Sequence, residues 1–310
     1  LHPDGKNQVL RVLRPHASQV ELILPEGKVA LKKTDVRGLF EWRGKVAPTR
    51  PWRLAIVEDG HAFEIIHPYA FGPFLTDDEM YLLNEGRLLE AYNTLGSHPA
   101  EHDGIAGARF VVWAPNAERV SVIGSFNRWD GRIHAMRSRG GNGLWELFIP
   151  GLQAGDFYKY EIRNRDTGEI RVKTDPYAQL FEHRPGTASV VSAASSHIWG
   201  DADWLRTRAA NDWLHAAMNI YEVHPGSWRR HPGGAYYTWR ELADSLVPYI
   251  QDMGYTHLEF MPVTEHPLDE SWGYQTTGYF APTTRFGSAD DLKYLIDTCH
   301  QAGIGVLLDW

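Results

Sequence analysis

The stretch Ser288-Ala-Asp-Asp-Leu-Lys-Tyr-Leu-Ile-Asp-Thr-Cys-His-Gln-Ala-Gly-Ile-Gly-Val-Leu-Leu-Asp-Trp310 contains a helix signal followed by a buried-strand signal. Ser288 and Asp291 have the spacing of a capping box, in which both side chains bond free backbone N–H groups of the first helical turn. Apolar residues then recur at three- and four-residue steps as far as Cys299, and Gly303 supplies the left-handed conformation that ends many helices. The apolar run 304–308 is typical of a strand covered on both faces, as in parallel sheets.

The same pattern occurs once upstream. Residues 219–224 form a short strand-like run, Thr238 and Glu241 form a second capping box, and residues 255–263 are an apolar run of strand length. Strands joined by helices lie parallel with right-handed crossovers, so a doubly wound sheet and an eight-stranded barrel both fit this order. The loop of roughly 25 residues at 264–287 favours the barrel, because barrel enzymes keep long active-site loops at the C-terminal ends of their strands.

Polar side chains occur where such a barrel would place an active site. Glu222 and His224 end the first predicted strand, and Asp309 ends the third. Because the C-terminal ends of parallel barrel strands meet at one mouth, we expect these three side chains to lie near each other. Ordinary polar strand ends are the alternative explanation.

Composition limits the classes of function. The chain has 310 residues, 43% of them hydrophobic, which suffices for two or three domains with their own cores. A net charge of −8 argues against nucleic acid or an anionic membrane as a partner, and we find no apolar stretch of membrane-spanning length and no signal peptide. The single cysteine, Cys299, fits a reducing cytoplasm and is expected to be a core thiol. The 12 Trp and 14 Tyr supply aromatic faces that suit sugar rings.

No cofactor or metal site is predicted. The histidines are scattered, and the chain contains neither a His-Glu-x-x-His pattern nor an acidic calcium loop.

The first two hundred residues contain an internal repeat. Arg14-Pro-His-Ala-Ser-Gln-Val-Glu-Leu-Ile23 matches Ala114-Pro-Asn-Ala-Glu-Arg-Val-Ser-Val-Ile123, and Gly38-Leu-Phe-Glu41 matches Gly143-Leu-Trp-Glu146. A third match pairs His67-Pro-Tyr-Ala70 with Asp175-Pro-Tyr-Ala178. Three matches in the same order indicate two related modules of about a hundred residues each.

Each module is rich in strand signals between Gly, Pro and Asn turns, a pattern typical of small β-sandwiches. The segment that joins the modules is predicted to be helical, and a polar stretch rich in small residues joins the second module to the barrel. The predicted organisation therefore has five parts: a first β-sandwich module at 1–75, a helical linker at 76–105, a second β-sandwich module at 106–192, a linker at 193–216, and the start of a (β/α)8 barrel at 217–310.

These residues carry a family resemblance. Trp113-Ala-Pro-Asn-Ala117 and Gly124-Ser-Phe-Asn-Arg-Trp-Asp130 resemble the immunoglobulin-like module that precedes the barrel in several α-glucan enzymes. Ile220-Tyr-Glu-Val-His-Pro-Gly-Ser-Trp228, Glu265-His-Pro-Leu-Asp269 and Ser271-Trp-Gly-Tyr-Gln-Thr-Thr-Gly-Tyr-Phe-Ala-Pro282 resemble the bacterial glycogen branching enzymes of the α-amylase superfamily. The resemblance covers nearly the whole chain.

The resemblance implies cleavage of an α-1,4-glucan and transfer of the cut chain to a 6-hydroxyl group, which makes an α-1,6 branch. It also implies a retaining mechanism with two carboxyl groups about 5–5.5 Å apart. In the family these acids follow the fourth and fifth barrel strands, and a further aspartate follows the seventh. All three positions lie beyond Trp310, so no residue of this chain is assigned as catalytic, and a polypeptide that ended at Trp310 is expected to lack transferase activity.

The resemblance assigns one wall of the sugar-donor site to this chain. Tyr274 matches the family tyrosine that stacks on the sugar to be transferred, and Gln275 and Trp272 flank it. Asp309 matches the aspartate that opens the family's first signature region, where it orients other site residues through charge-assisted hydrogen bonds.

Four further residues are candidates for substrate binding. Glu222, His224 and Asp269 are expected at the same mouth, with a structural hydrogen bond as the alternative for each. Trp129 is the module aromatic expected to touch glucan, with core packing as its alternative. Trp113 and Trp145 lie on predicted strands and are expected in the core.

Two other functions share these features. A glucan-binding or scaffold protein could use the paired modules alone, and a related hydrolase of the trehalohydrolase or debranching type could share the modules and the barrel start. Three barrel strands without the rest would leave sheet edges uncovered, which favours the enzyme. The expected partner is a glycogen- or amylose-like α-1,4-glucan, and the protein is expected to be a cytoplasmic monomer.

Overall fold

The computed structural model describes residues 1–310, which divide into two compact units, Leu1–Asp175 and Pro176–Trp310. Single-turn 3-10 helices occur in both units, at Pro68–Ala70, Ala91–Asn93, Ser125–Asn127, Asp269–Ser271 and Thr284–Phe286. A search of the helices for a segment that could cross a membrane finds none with the required length and apolarity.

The first part of unit 1 is a pair of antiparallel sheets that share a core. Its eight strands are β1 (His2–Asp4), β2 (Asn7–Leu13), β3 (Ala17–Leu24), β4 (Gly27–Ala30), β5 (Lys32–Asp35), β6 (Leu39–Gly44), β7 (Arg53–Glu58) and β8 (His61–Ile66). One sheet has the order β1-β2-β6-β5 and the other β4-β3-β7-β8. Leu10 and Phe40 from the first sheet pack with Leu22 and Leu54 from the second, because alternate residues of each strand point to the same face.

The second part of unit 1 repeats this architecture. Its strands are β9 (Gly96–His102), β10 (Ile105–Trp113), β11 (Ala117–Gly124), β12 (Arg137–Ser138), β13 (Leu144–Pro150), β14 (Phe157–Asn164) and β15 (Ile170–Lys173). The sheets have the orders β12-β13-β10-β9 and β11-β14-β15. Phe110 and Tyr158, from the two sheets, meet edge to face with ring centroids 5.0 Å apart. The two sheets therefore enclose a common core.

The repeat found in the sequence corresponds to a repeated contact. Gly38 has a φ of +91°, and a Cβ atom there would lie 2.5 Å from the Arg14 carbonyl oxygen. Gly143 has a φ of +78°, and its Cβ would lie 2.6 Å from the Pro115 Cα. The carbonyl groups of the two glycines accept hydrogen bonds of 2.8 Å from the N–H groups of Arg14 and Ala114. In both modules the strand-to-strand turn thus packs against a glycine that no other residue could replace without strain.

The segment between the modules is helical at its start. Helix α1 (Asp77–Asn84) begins at a capping box made by Thr76 and Glu79. The helical prediction for 76–105 does not extend to its end, since residues 96–102 are the edge strand β9. The sequence Gly96-Ser-His-Pro-Ala-Glu-His102 is polar and contains Pro99, which is tolerated in edge strands and hides the strand pattern.

Unit 2 begins with the two-residue strand β16 and continues as parallel strands joined by helices. Its elements are strand β16 (Ser189–Val190), helix α2 (Ala202–Ala210), strand β17 (Ile220–Val223), helix α3 (Pro225–Trp228), helix α4 (Trp239–Asp252), strands β18 (His257–Phe260), β19 (Thr264–Glu265) and β20 (Gly278–Pro282), helix α5 (Ala289–Gln301) and strand β21 (Gly305–Leu308). Strands β17, β18 and β21 form a parallel sheet in that order. Both predicted capping boxes are confirmed, at Thr238 with Glu241 and at Ser288 with Asp291.

The apolar faces of α4 and α5 cover one side of the parallel sheet. Leu246 and Leu295 from the helices share a core with Leu258 and Phe260 from β18. Cys299 is fully buried in this core, and burial raises the pKa of its thiol to about 12. The core role predicted for the only cysteine is confirmed.

The predicted linker at 193–216 is held against α5. The Asp290 carboxylate accepts hydrogen bonds from the Ser195 hydroxyl at 2.6 Å and from the Ser196 N–H at 2.8 Å. Asp201 lies 2.8 Å from His300 Nδ1. Helix α2 lies inside this segment, which is therefore more ordered than its polar, small-residue composition indicated.

One prediction about aromatic residues is wrong. Trp145 is buried, as expected, but Trp113 is 60% exposed at the end of β10, where its indole N–H donates to the Asn142 carbonyl oxygen. The residue sits at the last position of a strand whose preceding apolar run conceals the change of environment at its end.

Candidate functional site

The C-terminal ends of β17 and β21 carry three of the eight predicted site residues, Glu222, His224 and Asp309, and the long loop after β18 carries four more. Because the strands are parallel and in register, Glu222 of β17 lies beside Glu259 of β18, on the face that α4 and α5 do not cover. Asp309 follows β21 directly, and its N–H donates to the Phe260 carbonyl oxygen at 2.9 Å. Three acidic side chains thus come from three adjacent strands.

The long loop after β18 brings Tyr274 to this edge. Strands β19 and β20 pair as a short hairpin, and the turn between them contains Trp272 with a φ of +54° and Gly273 with a φ of +92°. A Cβ atom at Gly273 would lie 2.2 Å from the Pro262 carbonyl oxygen, so only glycine fits there. The close approach of the loop to Pro262 fixes the position of the next residue, Tyr274.

Tyr274 is held by its hydroxyl group and open at its ring. The phenol donates a 2.5 Å hydrogen bond to the Asp309 carboxylate, while the side chain remains 52% exposed. This bond raises the pKa of Tyr274, and the negative charges of Asp309, Glu222 and Glu259 raise it further. The ring is therefore a neutral, oriented aromatic surface that faces solvent.

The residues on either side of Tyr274 are also exposed. Trp272 is 55% exposed and lies 6.3 Å, between ring centroids, from His224. Gln275 is exposed beside Tyr274. The side chains of Trp272, Tyr274 and Gln275, together with the carboxylates of Asp309 and Glu222, combine an apolar face with hydrogen-bonding groups, which is the composition that binds a polyhydroxylated ring.

Asp269 lies in a separate, charged network. Its carboxylate accepts from Arg285 Nε at 2.8 Å and from Arg184 Nη1, and the Tyr236 hydroxyl donates to it at 3.3 Å. These contacts with two guanidinium groups hold the pKa of the carboxyl below its usual value, although burial acts in the opposite direction and is the largest single influence. Arg285 also bonds Glu265 at 2.8 Å, so the guanidinium lies between two carboxylates.

His224 faces a small cavity beside this network. The cavity measures about 10 Å³, which is room for about one water molecule, and its lining includes His224, Asp269 and His266. Burial lowers the pKa of the His224 imidazole, helped by His266 and Arg230, so the ring is neutral near pH 7. Its Nδ1 atom lies 2.9 Å from the Ser227 hydroxyl. A sugar ring does not fit in this space.

Sequence reasoning missed the network around Arg285. Its side chain is 3% exposed and pairs with an acid twenty residues earlier in the chain. Glu265 stands in a quoted family-like stretch, but nothing in the residues 283–286 indicates that an arginine there turns inward. Only the folded loop brings the two charges together.

Trp129, the eighth predicted site residue, belongs to unit 1. It is 41% exposed and has a φ of +59°, directly after Arg128 with a φ of +57°. Two consecutive non-glycine residues in the left-handed region are uncommon and cost conformational energy. The indole is thus presented at the surface by a strained loop.

Comparison with known proteins gives two matches to families and a set of relatives. Residues 94–178 match carbohydrate-binding module 48 (isoamylase N-terminal domain), and residues 222–310 match the alpha amylase catalytic domain. The chain is 59% identical over 310 residues to the 1,4-alpha-glucan branching enzyme GlgB of Methylobacillus flagellatus and 55% identical over 314 residues to that of Nitrosospira multiformis. Both alignments cover all of this chain but 43% and 42% of the relatives, so the chain spans about two fifths of their length.

A solved structure resembles the fold. A crystal structure of a Salmonella typhimurium protein assigned as an alpha amylase aligns with a TM-score of 0.52 and 25% identity, over 70% of this chain and 32% of that one.

Proposed function

This chain corresponds in sequence to the N-terminal part of the bacterial 1,4-alpha-glucan branching enzymes, and from that premise we propose that it supplies the front half of the donor site in an enzyme that builds α-1,6 branches in glycogen. The enzyme cuts an α-1,4-glucan and transfers the cut chain to a 6-hydroxyl group. The observation that carries the proposal is identity of 59% along the entire chain, through the sandwich modules as well as the strand ends.

The fold types of the two units are part of the same proposal. We infer that the two sheet pairs of unit 1 are immunoglobulin-like modules and that β17, β18 and β21 are the first three strands of a (β/α)8 barrel. The repeated glycine contact supports the first inference, and the parallel order with intervening helices supports the second. The boundaries 1–75, 76–105, 106–192, 193–216 and 217–310 remain predictions.

In this function a glucosyl ring of the donor stacks on the exposed aromatic face of Tyr274. An aromatic face attracts the C–H groups of a sugar ring, and the hydrogen bond from Tyr274 to Asp309 prevents the phenol from rotating away. Asp309 is thus a positioning residue through Tyr274. Trp272 and Gln275 flank the ring and contribute contact area and hydrogen bonds.

The other predicted residues near the strand ends have different proposed roles, and Asp269 and His224 act without touching the sugar. Asp269 is occupied by Arg184 and Arg285, which favours support of the loop that carries Tyr274. His224 contributes to the same support through its ring contact with Trp272, at 6.3 Å between centroids. Glu222 lies on the uncovered sheet face and is free to accept hydrogen bonds from hydroxyl groups. Trp129 is proposed as a separate aromatic contact for glucan on the second sandwich.

The proposed partner is a neutral, extended α-1,4-glucan, and no nucleic acid or membrane is proposed. A net charge of −8 does not impede a neutral polymer, whereas it would repel polyanions. We also propose that the protein is a cytoplasmic monomer that needs no cofactor or metal. The single, buried cysteine suits a reducing compartment.

The test compares branching by the 310-residue chain with branching by an extended protein, in which the chain continues through the reading frame downstream of Trp310. Each is incubated with amylose, and new α-1,6 linkages are counted by proton NMR and by digestion with a debranching enzyme. We expect linkages from the extended protein and a loss of about fivefold or more in the Tyr274→Ala variant, because stacking contacts contribute about 1 kcal/mol. Tyr279→Ala, which removes another exposed tyrosine of the same loop region, is the matched control.

Two outcomes would contradict the proposal. Release of reducing ends without new branches would identify a related hydrolase. Binding of glucan without either reaction, by the extended protein as well, would identify a binding or scaffold protein.

A further inference from the structure

Unit 1 contains a cleft between its two sandwiches that the proposed function does not use. It encloses about 160 Å³. Its walls come from the first module through the turn between β2 and β3, the end of β7 and strand β8, and from the second through the loop after β11 and the end of β13. Cavities of about 150 Å³ hold one six-membered ring, so the cleft has the capacity for a single ring.

A buried carboxylate in this cleft lacks a hydrogen-bond partner. Glu58, the last residue of β7, is 7% exposed, and its Oε1 atom accepts no hydrogen bond. The nearest cations are Arg14, whose Nη1 atom lies 3.9 Å from Oε1, and Arg128, whose Nη2 atom lies 4.0 Å from Oε2. Both distances exceed that of a hydrogen bond. An unsatisfied buried carboxylate is costly, which indicates that a donor group from outside the chain completes it.

Arg128 is held in place for such a ligand. Its Nη1 atom bonds Asp59 at 2.7 Å, so the loop of the second module is fastened to the β7–β8 turn of the first. Asp59, Arg128 and Trp129 all have φ values between +50° and +59°, in the left-handed region. Strained residues of this kind cluster at ligand sites, where the surrounding structure fixes them before the ligand arrives.

Most of the remaining lining is apolar and partly aromatic, and its two other polar members, Asn127 and His134, bond each other, with 2.9 Å between Nδ2 and Nδ1. Phe63 and Phe126 contribute ring faces, and Ile65, Ile133 and Leu152 contribute aliphatic groups. The cleft therefore offers one acceptor, two guanidinium donors and flat apolar walls within one ring's volume. A small anion would meet the charge of Glu58, and a purely apolar ring would leave Glu58 unsatisfied. A ring with several hydroxyl groups satisfies both, since each hydroxyl donates to Glu58 or accepts from an arginine.

We propose that this inter-module cleft binds one neutral hexopyranose ring, such as the end unit of an α-glucan, with a ring hydroxyl donating to Glu58 and others accepting from Arg128 and Arg14. Only the identity of the sugar rests on the proposed branching function. The site lies within unit 1 and uses none of the residues assigned to the strand ends of unit 2. Occupancy would join the two modules through the ligand, because each module contributes a charged group to it.

The test measures maltose and glucose binding by saturation-transfer NMR and calorimetry on the whole chain carrying Tyr274→Ala, which removes stacking at the proposed site of unit 2. We expect binding that Glu58→Gln weakens by at least about tenfold, as for a lost hydrogen bond to a charged group. Glu41→Gln, a partly buried acid of the same module that pairs with Arg11 and Arg43 outside the cleft, is the control and should leave affinity unchanged. Thermal unfolding verifies that each variant folds.

Phe63→Ala provides a second variant whose folding is secure, since Phe63 is already 38% exposed. It should also weaken binding. The proposal is overturned if the Tyr274→Ala protein binds neither sugar, or if it binds but Glu58→Gln and Phe63→Ala leave the affinity unchanged. Neither result bears on branch formation by the extended protein, so the two proposals fail separately.

Discussion

At the scale of single residues, the hydrogen bond between Tyr274 and Asp309 links the end of β21 to the long loop that follows β18. Its donor is an exposed phenol and its acceptor is the residue after β21. The bond favours the protonated phenol, because ionisation would place two negative charges 2.5 Å apart.

We expect Tyr274 to ionise at a higher pH than an ordinary tyrosine, and Asp309→Asn to lower its pKa towards the usual value of about 10. The stabilisation from this bond is present below the pKa of the unfolded phenol and is lost as the pH rises through the folded value. Ultraviolet difference titration of the wild type against Tyr274→Phe isolates the signal. Asp212→Asn, an exposed acid elsewhere, should leave the titration unchanged. An identical curve for Asp309→Asn would show that the bond does not form in solution.

Arg285 has the largest expected effect on stability of any single residue in the site. The Arg285→Met substitution removes the guanidinium group that the carboxylates of Glu265 and Asp269 share. Glu265 is only 7% exposed, so water cannot replace this partner. Breaking a buried pair in this way costs about 3–5 kcal/mol, because the remaining charge is desolvated. Urea unfolding measures the loss.

Arg240→Met is the matched control for that change. Its ion pair with Asp291 is exposed on the arginine side, so a loss of less than about 1 kcal/mol is expected. Equal losses for the two variants would mean that burial does not determine the strength of the Arg285 network.

At the scale of elements, the capping boxes determine where the long helices start. Thr238 and Ser288 accept hydrogen bonds from the N–H groups of Glu241 and Asp291, each at 3.2 Å, and the acids bond back to the cap N–H groups. These contacts fix the first turns of α4 and α5, whose apolar faces cover the parallel sheet.

Thr238→Ala and Ser288→Ala should each lower the free energy of unfolding by about 1 kcal/mol, since the alanine leaves an N–H of the first turn without an acceptor. Chemical unfolding followed by circular dichroism gives the values. Thr207→Ala, within α2, serves as the comparison, because its hydroxyl only bonds the Asp203 carbonyl oxygen of its own helix. A loss at Thr207 as large as at the caps would refute the assignment.

At the scale of the whole molecule, unit 1 buries two histidines in the region where its modules meet. His67 and His134 are each 6% exposed. Burial, helped by the charge of Arg14, lowers the pKa of both imidazoles to about 3. The Nδ1 atom of His67 accepts from the Tyr69 N–H, and that of His134 lies 2.9 Å from Asn127 Nδ2. Both rings are therefore folded in the neutral form.

We expect the free energy of unfolding to fall as the pH is lowered from 7 to 5. The unfolded histidines bind protons near pH 6.5, whereas the folded ones do so only near pH 3, so each contributes up to about 1.4 kcal/mol per pH unit below 6.5. This contribution is complete above pH 6.5 and is lost progressively as the pH falls towards 3. Urea unfolding at three pH values measures the slope.

The variant His134→Gln should reduce that slope, since an amide fills the site without binding a proton. His61→Gln, at an exposed position of β8, should not change it. If the free energy of unfolding has the same pH slope in His134→Gln as in His61→Gln, the protons are taken up by histidines other than His134. Other histidines whose pKa values are lowered by burial are His98, His224, His257 and His266.

The sequence alone determined the elements that depend on neighbours along the chain. Capping boxes, the glycines that end α4 and α5, and the apolar runs of β18 and β21 all act over a few residues, so their signals can be found locally. The repeated sequence segments also predicted the paired modules, because the same local turn recurs in each module. The edge strand β9 and the exposed Trp113 were missed, since their neighbours along the chain do not reveal which strand edge is covered.

Tertiary structure alone decided which charges meet. Arg285 reaches Glu265 and Asp269 only after the loop folds back on Pro262. Glu58 approaches Arg14 only when the two sheets of the first module assemble, and Arg128 only when the two modules come together. Electrostatic partners of this kind are set by distance in space, and nothing in the spacing of residues 14, 58 and 128 encodes it. The sequence therefore indicates a class of sugar-binding surface at the strand ends, and the folded chain determines how its side chains are held.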